Sequence, residues 1–244
     1  MAINHIQDPR RTTRRFFIFI ALLFPLLAFA GFARTYYLRF ILDGPAGPSL
    51  LVHLHGLTMT AWIVLFATQV WLISTRRIKL HQKLGFAGVV LGAVIILVGI
   101  LTAIAAAKYG SASTPPGALP LSFMVVPFFD MIIFAILFAG GIYYRKQPAN
   151  HKRLILLTIL NFLPPAVARI PIVPLQSLGP IWFFGFPDVL AIIFVIVDTW
   201  RHKKLNKVFL AGALLMIVSH PLRLMLADTE VWLRFASWIT SLSA

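Results

Sequence analysis

The chain has no cysteine, which removes disulfides, thiolate metal ligands and cysteine nucleophiles at once. It is nearly as poor in acid, with 7 Asp and Glu against 22 Lys and Arg. Only 12% of its residues are charged, about half the share usual in a soluble domain. This arithmetic excludes a disordered chain, a coiled coil and a secreted mini-protein together. What fills the sequence is apolar: 59% hydrophobic residues across 244 positions, with a mean hydropathy of +0.88. At about 20 apolar residues per crossing of a bilayer, there is room for some seven crossings and little else.

Seven apolar stretches can be read, at about 16–33, 50–74, 84–107, 120–144, 153–172, 180–200 and 207–227. None alternates as a strand would, and each is long enough to span as a helix. The expected fold is therefore an all-α integral membrane protein, one domain over residues 1–244. The basic residues fall in a pattern. Arg10, Arg11, Arg14 and Arg15 precede the first stretch; Arg76, Arg77, Lys79 and Lys83 lie between the second and third. Arg145, Lys146, Lys152 and Arg153 join the fourth to the fifth, and Arg201, Lys203, Lys204 and Lys207 join the sixth to the seventh. The opposite side has Arg34, Arg39, Lys108 and Arg234. The positive-inside rule then puts the N-terminus inside and the C-terminus outside. The net charge of +15 is accounted for by topology and by anionic lipid at the inner links, so no nucleic-acid partner is called for. A bacterial inner membrane is the expected location.

The three inner links RRIKLHQKLG, YYRKQPANHKRL and WRHKKLNK are short, basic and each hold a histidine. They make the plan one leading helix followed by three antiparallel hairpins. Arg14-Arg15-Phe16-Phe17, an apolar run and Ala28-Phe29-Ala30 together have the form of a signal, which we read as a retained anchor. Gly85, Gly88 and Gly92 suit close helix contact. Pro164-Pro165 is expected to kink the fifth helix, and Pro187 to open a shortened sixth helix after a non-helical segment 180–186.

Ionisable side chains in hydrocarbon cost roughly 2.5–3.5 kcal/mol on insertion scales, so each requires a reason. Apart from the basic links they are His53, His55, Asp130, Arg169, Asp188, His220 and Arg223. At about 1.5 Å per residue, His55 and His220 lie ~6–9 Å below the outer surface, with Asp130 nearer the midplane. All seven fall in the outer half, which points to one polar cluster opening outward. Three chemistries fit. Two histidines at matched depth on different helices can ligate a b-type haem, His55 or His53 with His220, while Arg169 and Arg223 pair its propionates. Imidazole and carboxylate together can instead hold zinc or iron and activate water, as in an intramembrane hydrolase. Alternatively, Asp130 and Asp188 can carry protons in a proton-coupled carrier, and an auxiliary subunit without chemistry is the remaining possibility. Plainer readings stand beside these: interfacial histidines, snorkelling arginines, and structural pairing of Arg169 or Arg223 with an aspartate. His53 and His55 are about 200° apart on a helix, so both facing one interior is not expected.

On the inner side His81 and His151 open two helices in matching positions, either as an inner haem pair or as solvated interfacial residues. Gln69 and Asn161 read as interhelical hydrogen-bonding groups, and Asp198 as half of a surface ion pair. No apolar stretch holds an interior lysine, and no H-E-x-x-H, G-x-S-x-G or phosphate-binding loop occurs. Trp62, Trp71, Trp182, Trp200, Trp232 and Trp238 fall mostly near helix ends, as an aromatic belt would.

His55-Gly56-Leu57-Thr58-Met59-Thr60-Ala61-Trp62, followed by His81-Gln82-Lys83-Leu84-Gly85 and the later Asn150-His151-Lys152-Arg153-Leu154, resembles a group of uncharacterised bacterial multi-helix membrane proteins. More weakly, the same H-G…W helix is similar to that of the ascorbate-type transmembrane cytochromes b, which bind two haems through paired histidines. That resemblance implies that His55 is a haem ligand. Together these readings lead to an expected redox protein with His55 and His220 as ligands to haem b near the outer face. Quinol or a periplasmic protein would be its electron partner, with Asp130 and Asp188 handling protons.

Overall fold

The computed structural model describes residues 9–44, 47–111, 114–115 and 117–242, with side chains from residue 16. The side chains of Arg10, Arg11, Arg14 and Arg15, part of the inner basic pattern, lie outside the described residues. All regular structure among the described residues is helical.

Helix α1 (Pro9–Phe32) runs on into a π-helical turn over Ala33–Tyr37. Helix α2 (Leu50–Ser74) starts where the Ser49 hydroxyl accepts from the Val52 N–H, and α3 (Ile78–Tyr109) stops at Gly110, whose φ of +82° only glycine adopts freely. A single turn, α4 (Pro120–Phe123), leads into α5 (Val125–Tyr143). Then follow α6 (Pro148–Leu160), α7 (Pro164–Arg169), α8 (Val173–Gln176) and α9 (Pro180–His202). Helix α10 (Lys207–Leu226) is capped by the Asn206 side chain accepting from the Phe209 N–H at 2.8 Å, and α11 (Glu230–Ser241) by Thr229.

Among the described residues, six segments are long and apolar enough to cross a membrane: Phe16–Tyr37, Leu50–Ser74, Ile78–Tyr109, Pro120–Lys146, Pro180–His202 and Lys207–Leu226. Their outward faces carry large apolar side chains such as Phe19, Leu57, Phe86, Leu97 and Ile196, all exposed. In water this would be untenable, and in lipid it is the expected surface. The chain is a helical membrane protein.

The fifth expected helix, 153–172, is not a kinked rod but three pieces. Proline lacks an N–H, so Pro164 and Pro165 cannot bond back to the carbonyls of Leu160 and Asn161, and α6 ends at Leu160. The gap at Asn161–Leu163 is wrapped in protein: Leu156, Leu157, Leu160, Asn161 and Leu163 are all buried. Irregular backbone at membrane depth is tolerated only in such a setting. Two further expectations are corrected. Residues 180–186 are helical, because Gly179 at φ +54° turns the chain and Pro180 begins α9, which carries Pro187 inside it. Helix α11 lies outside all seven expected stretches. It packs on α3 and α4, and the Trp232 indole N–H donates to the Leu121 carbonyl at 2.9 Å.

The core lies where α5 and α6 meet the other helices, around Phe24, Ile95, Phe134, Leu137, Leu157, Leu160 and Met216. Helix α2 packs principally on α1 and α3, while α10 packs on α5, α6 and α9. On the basic side, Arg153 of α6 grips Asp198 of α9 with Nε and Nη2, at 2.8 and 2.7 Å. Both side chains are largely buried, so Asp198 belongs to an interhelical clamp rather than to the surface pair expected of it.

Candidate functional site

The seven ionisable residues lie toward one end of the bundle, as their places near the starts of α2, α5 and α9 and the ends of α7 and α10 require. Their contacts sort into two groups rather than one.

The first group joins α5, α9 and α10. Arg223, buried near the end of α10, hydrogen-bonds and ion-pairs with Asp130 of α5. Its other terminal nitrogen donates to the Ser219 hydroxyl at 3.0 Å, and that hydroxyl donates to the Met216 carbonyl at 2.6 Å. The spacing from Ser219 to Arg223 is one helical turn, so a single face of α10 holds both. His220 meets Asp188 of α9, with Nδ1 2.9 Å from Oδ1. Its ring stacks on Phe184, at 4.3 Å between centroids and 16° between planes. Phe184 and Asp188 are again one turn apart, so one stripe of α9 supplies both the ring face and the carboxylate.

A carboxylate only accepts, so Nδ1 of His220 carries the hydrogen, and in the neutral ring Nε2 keeps the lone pair. That Nε2 is buried with no partner, as are Nε of Arg223 and Oδ1 of Asn161. Asn161, in the break after α6, donates to the backbone carbonyl of Asp130 at 2.9 Å. Unsatisfied polar atoms of this kind are few in a folded protein and each calls for an explanation.

The second group joins α1, α2 and α7. His55 is half-buried, and its Nδ1 is enclosed without a partner. The charge of Arg169 reaches His55. Arg169 itself donates to the Pro165 carbonyl at 2.6 Å and sits over the Phe32 ring at 4.8 Å. His53 is exposed beside Tyr36, and Tyr37 shares a 2.8 Å hydrogen bond with Thr60. Consequently His55 feels the charge of Arg169, while His220 meets Asp188. Among the described residues no three of His, Asp and Glu gather as a metal-binding set.

Residue type alone singled out neither Ser219 nor Phe184. The signal that finds them is spacing, since each stands four positions before a residue that chemistry had already marked. Fold and site together define a helical membrane protein with a buried Arg223–Asp130 ion pair and a His220–Asp188 hydrogen bond toward one end of its bundle. Compared with known proteins, the chain matches no family model, no curated protein and no solved structure.

Proposed function

We propose that the chain is an integral membrane redox protein, holding b-type haem toward the outer end of the bundle and exchanging electrons with quinol or a periplasmic partner. The observation that carries this reading is the Asp188–His220 pair. Imidazoles that ligate metals commonly donate their second ring N–H to a carboxylate, which fixes the tautomer and strengthens the donor nitrogen. His220 has that arrangement, with Nε2 enclosed and uncommitted. His55, in the other group of contacts, is the second candidate ligand, and Arg169, whose charge acts on it, the candidate propionate partner. Arg223 is already committed to Asp130, so its part is to balance that buried charge rather than to pair a propionate. When bound, the haem supplies one-electron chemistry. The chain contributes an oriented imidazole, a proton held at Nδ1 of His220 and a neutralised Asp130.

In this reading α6 to α8 form a broken seventh crossing between α5 and α9. The three basic links and the N-terminus then face the inside of a bacterial inner membrane, with the C-terminus outside.

A proton-coupled carrier is the second reading, favoured by the discontinuous helix. Substrate sites of transporters often lie where a helix unwinds at membrane depth, and Asn161 stands in such a break with an unsatisfied oxygen beside Asp130. The absorption spectrum of the purified protein, oxidised and then dithionite-reduced, separates the two. A Soret band with a reduced α band, both diminished in His220→Ala, supports haem. A featureless spectrum from folded protein overturns it and leaves the carrier, for which Asp130→Asn abolishes proton-linked uptake.

A further inference from the structure

At the opposite, basic end of the bundle, two histidines form an arrangement that the outer residues play no part in. His81 is the fourth residue of α3 and His151 the fourth residue of α6, and their backbone N–H groups make matching bonds to Arg77 and Gln147. Each helix is the second arm of a hairpin, and in each case the first arm supplies an acceptor to the histidine. Gln69 of α2 stands with Oε1 2.7 Å from Nδ1 of His81, and the Gly141 carbonyl of α5 lies 2.8 Å from Nδ1 of His151. The Gln69 amide is oriented independently, because its NH2 donates to the His81 carbonyl at 3.2 Å. Both acceptors are carbonyl oxygens, so both imidazoles carry hydrogen on Nδ1, and in the neutral rings the lone pair is on Nε2. Two unrelated helices thus present two imidazoles in the tautomer that binds metal through Nε2.

The rings are 6.4 Å apart, centroid to centroid, at 80° between planes. A metal–imidazole bond of about 2.0–2.1 Å, plus about 1.1 Å from nitrogen to ring centre, puts two opposed ring centres about 6.3 Å apart. For two ligands at a tetrahedral angle the same lengths give about 5.2 Å. The observed spacing is closer to the value for opposed ligands than to the tetrahedral one. No third His, Asp or Glu joins them among the described residues, so the metal must be content with two protein ligands in line. A porphyrin iron, which brings its own equatorial nitrogens, meets that condition, and so does a linear cuprous ion.

We propose that His81 and His151 are the two opposed ligands of a metal site at the basic end of the bundle. Porphyrin iron and a bare cuprous ion share this chemistry. The site does not depend on the outer one, since it uses neither His220 nor His55.

The test takes full-length detergent-purified protein as wild type, His81→Ala, His151→Ala and His220→Ala, with haem per chain and the low-spin bis-imidazole electron-resonance signal as readouts. Loss of that signal in both inner variants and its survival in His220→Ala support the site with porphyrin iron as its metal. Each chain is also titrated with Cu(I) against a chromophoric chelator. One Cu(I) per wild-type chain, lost in both inner variants, supports the site with a bare ion. Gln69→Leu leaves both ligands in place and removes the acceptor at Nδ1 of His81 together with the donor to the His81 carbonyl. It is expected to weaken the bound metal about 10–100-fold, which a purely structural Gln69 would not do. Folded inner variants and Gln69→Leu that match wild type in haem and in Cu(I) overturn the proposal, whatever becomes of His220.

Discussion

Arg223 of α10 and Asp130 of α5, 93 positions apart in the chain, meet as an ion pair whose side chains are 0% and 5% exposed. Neither can reach water, and only one helical turn of α10 lies beyond Arg223. A pair so placed is weak evidence for net stability, because desolvating two charges offsets most of their attraction. Removing one partner alone is a different matter, since the survivor is left buried and uncompensated.

Asp130→Asn and Arg223→Leu should therefore each destabilise the protein by about 3–5 kcal/mol. The double change to Asn and Leu should recover a large part of that loss, because no lone charge remains. Thermal unfolding of the four proteins in one detergent measures this. Single variants as stable as wild type would mean that water enters the pair or that it is open in solution.

Asp188→Asn keeps the size of the side chain and its contact with His220 but removes the negative charge. If Nε2 of His220 is a metal ligand, affinity for the metal should fall about 10–100-fold, while Asp198→Asn, at the other end of α9, should leave it unchanged. Titrating haem back into stripped protein gives both numbers. Equal affinities in wild type and Asp188→Asn would remove His220 from the ligand set.

Gly31 marks where α1 crosses α7. A Cβ there would stand 2.2 Å from the Ala166 carbonyl oxygen, which is backbone and cannot swing aside. Gly31→Ala should cost about 1–3 kcal/mol through overpacking. Gly185→Ala on α9, where nothing lies within 4 Å, should instead gain up to about 1 kcal/mol from helix propensity. Opposite signs in the thermal midpoints would show that the broken segment is held by backbone contact with α1.

The long apolar helices and the chemically odd residues were legible in the sequence because both are local properties: hydropathy over 20 positions, and charge where charge is costly. Pairing was not. Arg169 and Arg223 are alike in type and in distance from the end of an apolar stretch, yet Arg223 takes Asp130 while Arg169 takes the Pro165 carbonyl and the Phe32 ring. What separates them is the docking of α10 on α5 and of α7 on α1, and no local pattern encodes it. The proline pair was legible as a disturbance but not as a full break. That outcome depends on buried neighbours such as Leu157 and Leu163 enclosing the freed backbone. Helix α11 escaped notice because it is 12 residues long, too short for a crossing, and its apolar face is covered by α3 and α4.

The absence of cysteine makes orientation directly measurable, since any thiol introduced is the only one in the chain. Ser177, between α8 and α9, and Lys204, between α9 and α10, are both exposed and stand at opposite ends of one apolar helix. In the proposed topology Ser177→Cys faces outward and Lys204→Cys inward. A membrane-impermeant maleimide applied to intact cells should then label Ser177→Cys alone, and both variants should react once the membrane is permeabilised. The reverse pattern would invert the protein in the membrane and put the Asp188–His220 pair on the inner side. Labelling of both in intact cells would mean that α9 does not cross. The choice also fixes the direction of any electron transfer, because His220 lies toward one end of the bundle and the His81–His151 pair at the other.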